Sequence, residues 1–180
     1  MTHYTIARHG TKDALALEDE LTRLYVAVYS EPPYNGHGVY TEEGFRNRNT
    51  RQLHAPGFTL VTVRADNGEL AGFAFGFTMP GNAFWRGVDE PQEVKGCDKF
   101  AWIELVVAAA HRGNGLSHRL RDELLRDRPE AFATLCAHPN AEPARSMYDR
   151  WGWRKAATIG LADDQADIMI ADLMGPKQHQ

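Results

Sequence analysis

The 180-residue sequence predicts an α+β fold, a mixed and mostly antiparallel central sheet with helices on both faces. Three observations lead there. Asn67-Gly68 stands between two alternating apolar runs, the strongest short signal for a β-hairpin, since both central residues of the tightest turns need φ > 0. Residues 100–109 (FAWIELVVAA) have hardly a polar break, as expected of a strand covered on both faces. A glycine-rich turn, a leucine-spaced helix and a second apolar run follow, so residues 100–137 should form a right-handed parallel crossover.

The elements can be justified in order. Residues 3–8 alternate weakly and suggest an edge strand. Leu17, Leu21, Leu24 and Val28 step by four, three and four, which is one helical face over 13–29. That helix must stop near Glu31-Pro32-Pro33, because a residue before proline avoids the α region. Thr41-Glu42-Glu43 reads as a cap followed by acids in a first turn, giving a helix over 41–54. Residues 57–65 and 69–78 are the hairpin strands. The connection 80–99 carries Pro80, Gly81, Gly87, Pro91 and Gly96. Its length implies either a function or a hidden short helix. Leu116, Leu120 and Leu124 place a helix over 115–128, ended by Pro129. Residues 131–137 are a buried strand. Asn140 as N-cap, Pro143 in the first turn and Gly152 past the end frame a helix over 141–151. Strands at 153–159 and 167–173 flank a polar turn, Asp163-Asp164-Gln165. The order is β-α-α-β-β-β-α-β-α-β-β, read as a single domain over 1–175 with a tail at 176–180.

Composition narrows the function. Apolar residues are 43% and charged residues 24%, which is ordinary for a globule and argues against disorder. Twenty basic against 24 acidic side chains leave a net charge of −4, a poor balance for a nucleic-acid binder. The longest uncharged run, Leu70–Trp85, is too short to span a bilayer and is broken by Gly72, Gly76, Pro80 and Gly81. No membrane partner is expected. The start, MTHYTIARHGTKD, lacks an apolar stretch, so no signal peptide is expected. Cys97 and Cys136 cannot make a disulfide framework, and a cytoplasmic home is the default.

The informative segment runs from Val106 to Ser117. A buried strand enters a glycine-rich turn that opens a helix. Helix starts leave free N–H groups and a partial positive charge, so such a turn can hold phosphate. Gly113 and Gly115 lack Cβ and let an anion approach the backbone. Arg112 adds a forked, permanent cation. The same residues also suit a plain helix start in which Asn114 caps and the glycines turn. No Gly-Lys-Ser/Thr marks a P-loop, and His118 stands where a dinucleotide fingerprint needs its third glycine.

Strand, Arg112-Gly113-Asn114-Gly115-Leu116-Ser117 and amphipathic helix together resemble motif A of the Gcn5-related N-acetyltransferases, the GNAT superfamily. That pattern reads Gln/Arg-x-x-Gly-x-Gly/Ala. Arg112 and Gly115 match it, and Ser117 is a small residue at the last position. About thirty residues on, Ala144-Arg145-Ser146-Met147-Tyr148-Asp149-Arg150-Trp151-Gly152-Trp153 resembles motif B, A-x-x-x-Y-x-x-x-G-F/W. The two motifs, their spacing and the element order cover nearly the whole chain. The loop Glu31-Pro32-Pro33-Tyr34 is similar to one common in actinobacterial members.

The resemblance implies a GNAT fold whose two central parallel strands, 100–109 and 131–137 here, splay apart. It implies acetyl-CoA as co-substrate, a small-molecule amine as acceptor, no metal, and the homodimers common in the family. N–H groups of Gly113, Asn114, Gly115, Leu116 and Ser117 would wrap the diphosphate with Arg112. Backbone groups of Leu105, Val106 and Val107 would pair with the pantetheine arm, and the Val107 N–H would meet the oxyanion. An alkyl amine of pKa ~10.4 is neutral at pH 7 in only about one part in a thousand, so a base is needed. Glu104, the one acid in the buried strand, is the candidate. Its other reading is an ion pair with an arginine of the sheet surface. Tyr148 would sit near the sulfur. A tyrosine of pKa ~10 is a weaker acid than a thiol of ~8.5, and full proton transfer is uphill by about 2 kcal/mol. A hydrogen bond to the developing thiolate is therefore the role expected of it. Its other reading is a helix tyrosine with its ring in the core.

Tyr34, Tyr40, Phe84, Trp85 and Trp102 flank the family's acceptor side, where Glu31, Asp89 and Glu90 supply charge for a cationic amine. Glu31, Tyr34, Trp85 and Trp102 are the acceptor-binding candidates, although each also suits surface or core filling. His111 and His118 come without an HExxH or paired cysteines, so they do not suggest a metal site. Cys136 reads as a small buried side chain. Two further readings stay open, a non-catalytic acyl-CoA-binding sensor on the same fold and a nucleotide-binding module unrelated to CoA.

Overall fold

The computed structural model describes residues 2–160 and 165–175. Among the described residues there are seven strands, β1 (Tyr4–His9), β2 (Thr59–Ala65), β3 (Leu70–Met79), β4 (Lys99–Val107), β5 (Phe132–Ala137), β6 (Arg154–Ile159) and β7 (Ala166–Asp172). They take the order β1-β2-β3-β4-β5-β7-β6. Five helices accompany them among the described residues, α1 (Thr11–Ala16), α2 (Glu18–Tyr29), α3 (Glu42–Gln52), α4 (Leu116–Leu125) and α5 (Glu142–Arg150). β1 is an edge strand, as its weak alternation predicts. The parallel pair is β4 with β5, and its ladder joins only Lys99, Phe100 and Ala101 to Phe132, Ala133 and Thr134. That three-pair ladder lies within the second of the two units described below.

The chain divides into two units. The first takes Met1–Phe77 and Ile103–Arg126, the second Thr78–Trp102 and the chain from Asp127 on. In the first unit, Leu21 and Tyr25 of α2, Phe45 of α3, Leu60 of β2, Phe73 and Phe75 of β3 and Val106 of β4 make one buried cluster. Phe73 and Phe75 point one way and Gly72 the other, as alternation requires. A Cβ at Gly72 would lie 3.4 Å from Leu120 Cδ1 and 2.6 Å from the Val106 carbonyl oxygen. Helices therefore cover both faces here, α2 and α3 on the phenylalanine side and α4 on the glycine side.

In the second unit the connection after β3 is tied down along its length. The Gly81 N–H donates to Asp98 Oδ1 at 2.8 Å, Glu90 pairs with the fully buried Lys99, and Arg154 holds Glu93 at 2.9 Å. Val94 of a short 3₁₀ turn, Gln92–Val94, is buried. Asp167 of β7 is buried and satisfied by Lys155 at 2.7 Å, Thr158 at 3.0 Å and Arg145 at 3.4 Å.

Four local expectations are corrected. The segment 13–29 is two helices joined at Leu17, a break marked by neither glycine nor proline. Between β2 and β3 the Ala65 N–H donates to the Glu69 carbonyl at 3.0 Å, which closes a loop of three residues, 66–68. Only Gly68 takes positive φ, 83°, while the Asn67 side chain accepts from the Glu69 N–H at 3.0 Å, so a bulged turn replaces the two-residue one. α4 ends at Leu125, earlier than Pro129 demands, and Asp127 takes φ 57° just past it. The N-cap of α5 is Ala141, not Asn140, because the chain first turns from His138 to Ala141 with the Asn140 N–H on His138 Nδ1 at 3.1 Å. Asp163 and Asp164 of the expected polar turn, and the tail 176–180, lie outside the described residues.

Candidate active site

The turn after β4 lies wholly in the first unit. Ala109–His111 form a 3₁₀ turn, Gly113 takes φ 81°, and Gly115, the N-cap of α4, takes φ 70°. A Cβ at either glycine would meet nothing, so the residues are fixed by backbone conformation and not by crowding. No side chain caps α4. Asn114 is exposed and folds back on its own loop, its Nδ2 donating to the His111 and Arg112 carbonyls at 3.0 and 3.3 Å, so the capping reading fails for it. An uncapped, exposed helix start with two left-handed glycines fits an anion such as a diphosphate. Leu116 is buried and anchors the helix, and Ser117 is half-buried.

Arg112 is exposed and its fork is engaged. Nη1 donates to Glu31 Oε2 at 2.7 Å and Nη2 to Glu31 Oε1 at 3.2 Å, while Nε reaches the Val107 carbonyl at 3.3 Å. The residue expected to hold the donor is thus brought together with one expected on the acceptor side. His111 is held through its Nδ1 to the Tyr4 hydroxyl at 3.1 Å, with its Nε2 3.6 Å from Glu69.

β4 supplies Glu104, Leu105, Val106 and Val107. Val106 is fully buried, and Leu105 and Val107 are half-buried on the other face. Glu104 is 7% exposed. Two of its partners come from helices. The Tyr29 hydroxyl of α2 donates to Oε2 at 2.8 Å, and Arg48 Nη2 of α3 lies 3.6 Å from Oε1. Burial pushes the Glu104 carboxyl up to about 7, against the opposing pull of the Tyr29 hydrogen bond and the Arg48 charge. A carboxyl poised there is equipped to accept a proton near neutral pH. Tyr34 packs edge-on to Tyr29 at 4.7 Å and tilted on Tyr40 at 4.8 Å, and Tyr29 stacks on Tyr40 at 5.1 Å. Sequence reasoning missed Tyr29 and Arg48. Tyr25 and Tyr29, four apart on α2, were a legible signal. Arg48, on a helix almost devoid of apolar residues, gave none.

Tyr148, Trp102 and Trp85 belong to the second unit. Tyr148 is half-buried on α5, its ring centroid 6.4 Å from Trp102, 5.9 Å from Trp151 and 6.0 Å from Trp153. Trp102 is 2% exposed and stacks on Trp151 at 6.2 Å. Three tryptophan rings therefore surround the Tyr148 ring. Trp85 is placed differently, donating from Nε1 to Thr134 Oγ1 at 2.8 Å. Burial pushes the half-buried Cys136 thiol up to about 12, which makes it a poor nucleophile. Among the described residues no group of three His, Cys, Asp or Glu side chains can hold a metal ion, and no helix is long and apolar enough to cross a membrane.

The sequence profile described as the Acetyltransferase (GNAT) family matches residues 16–153. No curated protein sequence matches. Among solved structures, a GNAT-family acetyltransferase of Staphylococcus aureus Mu50 is 12% identical, with a TM-score of 0.68 over 95% of this chain and 99% of its own. The PaiA N-acetyltransferase of Thermoplasma acidophilum, in complex with coenzyme A, is 12% identical, with a TM-score of 0.62 over 94% and 99%. The ribosomal-protein-S18-alanine N-acetyltransferase of Escherichia coli is 15% identical, with a TM-score of 0.64 over 99% of both chains. At these identities the structures speak for the fold, while the profile, which spans most of the chain, establishes that this protein belongs to the GNAT family of acetyltransferases, enzymes that use acetyl-CoA.

Proposed function

We propose that this enzyme acetylates the primary amine of a small molecule, the amine attacking the thioester of acetyl-CoA directly. The observation that carries this reading is Glu104, a nearly buried carboxyl whose proton affinity lies near neutrality. An alkylammonium must lose a proton before it can attack, and a base of pKa near the working pH removes it best. Acetyl-CoA supplies the activated acyl group. The N–H groups of Gly113, Asn114, Gly115, Leu116 and Ser117, with Arg112, hold its diphosphate. Backbone groups of Leu105, Val106 and Val107 align the arm, and the Val107 N–H meets the oxyanion. Tyr148 gives a hydrogen bond to the departing thiolate. Glu31, Tyr34, Trp85 and Trp102 are the residues proposed to contact the acceptor. The protein is proposed to be a single cytoplasmic domain.

A panel of amines tests the reading, with free CoA followed by a thiol reagent. It should include polyamines, aminoglycosides, amino acids and a peptide with a free N-terminus. Steady CoA release with a small amine, lost in Glu104→Gln, supports it. Binding of acetyl-CoA without turnover on any amine would favour the sensor, and turnover on the peptide alone would move the acceptor to a protein terminus.

A further inference from the structure

Glu104 receives its two oxygens' contacts from different elements, and the two contacts differ in kind. Tyr29 donates a short neutral hydrogen bond to Oε2. Arg48 stands beside Oε1 at 3.6 Å, outside ordinary hydrogen-bond length. The arginine's strong bonds go elsewhere. Nη1 donates to the Val39 carbonyl at 2.6 Å and Nη2 to the Tyr25 hydroxyl at 3.0 Å, while Tyr25 itself donates to Val39 at 3.2 Å. Tyr25, in turn, is fully buried and stacked on Phe45 of α3 at 4.2 Å. The guanidinium is thus held by two neutral groups as well as by its ion pair with the carboxylate.

That arrangement has a chemical consequence. A forked arginine on a carboxylate holds it ionised far below neutrality. A buried carboxyl with no cation has the opposite fate and keeps its proton well above neutrality. Glu104 lies between these limits because burial is opposed by both Tyr29 and Arg48. Ionisable groups that bear on it include Tyr25 and Tyr29 of α2, Tyr34 of the segment after α2, and Arg48 of α3. Tyr40 acts on Tyr25, and Arg112, paired with Glu31, acts on Tyr34.

We propose that Arg48 is the positioning residue for Glu104: held in place by Val39 and Tyr25, it keeps a cation beside the carboxylate, and so sets the pH at which Glu104 releases its proton. The electrostatic claim stands by itself, and its catalytic meaning rests on Glu104 being the base.

The test follows the carboxyl carbon of Glu104 by NMR in the full chain labelled with ¹³C at glutamate carboxyls. The signal absent from Glu104→Gln is the one to titrate. In the parent protein its midpoint should fall near 7. Arg48→Gln should raise the midpoint by about one unit, a tenfold gain in proton affinity, and Arg48→Lys should restore part of the difference. A rise of roughly half a unit or more supports the proposal, and a smaller rise or any fall overturns it. If Arg48→Gln does not fold, Arg48→Met keeps the packing of the stem and gives the same reading. The base assignment is judged separately. If Glu104→Gln keeps the acidic limb of kcat/KM with acetyl-CoA and an accepted amine, that assignment fails, whatever the carbon titration shows.

Discussion

Glu104 pays for its position in stability, and the sign of that cost can be worked out. Its carboxyl holds a proton up to about 7 in the folded chain, against an ordinary value of 4.5. Below pH 4.5 it is protonated in both folded and unfolded chains and costs nothing. Between 4.5 and 7 only the unfolded chain ionises, so folding loses about 3 kcal/mol as pH rises, and the loss levels off above 7. Glutamine at 104 has no such titration. The stability of Glu104→Gln relative to the parent should therefore climb by about that amount from pH 4.5 to 7.5, whatever its offset from lost contacts. Urea denaturation at several pH values measures it, and a flat difference would contradict the raised carboxyl. If Glu104 is the base, as proposed, catalysis runs the other way, since the ionised form accepts the proton and kcat/KM should rise through pH 7. Tyr148→Phe removes a donor but keeps the ring among Trp102, Trp151 and Trp153. It should lower turnover by roughly 10- to 100-fold, the loss of one charge-assisted hydrogen bond, while CoA affinity by calorimetry stays within about twofold. Glu104 was legible because an acid in an apolar strand has no ordinary reason to be there. Arg48 was not, because the sequence does not show which of three arginines on α3, Arg46, Arg48 or Arg51, turns inward.

Elements were legible where local chemistry decides them. Thr41 accepts from the Gly44 N–H through Oγ1 at 3.0 Å and caps α3, as its sequence signal predicts. The cap matters beyond its own turn, because α3 has few apolar side chains to hold it and carries Arg48. Thr41→Ala should cost about 1 kcal/mol in denaturant unfolding, and Thr41→Ser should recover most of it. The hairpin was found but its turn was not. Asn-Gly can close two residues or three, and the choice rests on whether asparagine enters the left-handed region. Here its side chain accepts from Glu69 instead, which leaves that conformation to Gly68 alone. Asn140 failed as a cap for a related reason. An asparagine can serve a turn as readily as a helix start, and the turn from His138 came first.

At the level of the whole molecule, the glycine-rich turn following a buried strand and the tyrosine in its later helix carried the family, and with it the fold. Element order gave the parallel crossover and the flanking hairpins. It did not reveal that β7, and not β6, lies beside β5, since the last hairpin can join the sheet by either strand. Gly72 was likewise unreadable as a packing site. Its need for glycine comes from the Val106 carbonyl of β4, thirty-four positions away. Ligand binding is felt by the entire fold through mass action. CoA at one hundred times its Kd should stabilise the protein by about 2.7 kcal/mol, and raise Tm by roughly 5–10 °C for a chain of this size. Scanning calorimetry across a range of CoA concentrations reads the shift directly, and a Tm indifferent to CoA would remove the turn after β4 from ligand binding.

The contact between Arg112 and Glu31 bears on how such an affinity responds to ionic strength. If the turn binds a diphosphate as proposed, the incoming anion meets a cation already paired with a carboxylate. It would trade places with that carboxylate, so one anion departs as another arrives, and few small ions are released in the exchange. Added salt weakens the outgoing contact along with the incoming one. The dependence of CoA affinity on salt should accordingly be shallow, and it should steepen once Glu31 is replaced by glutamine.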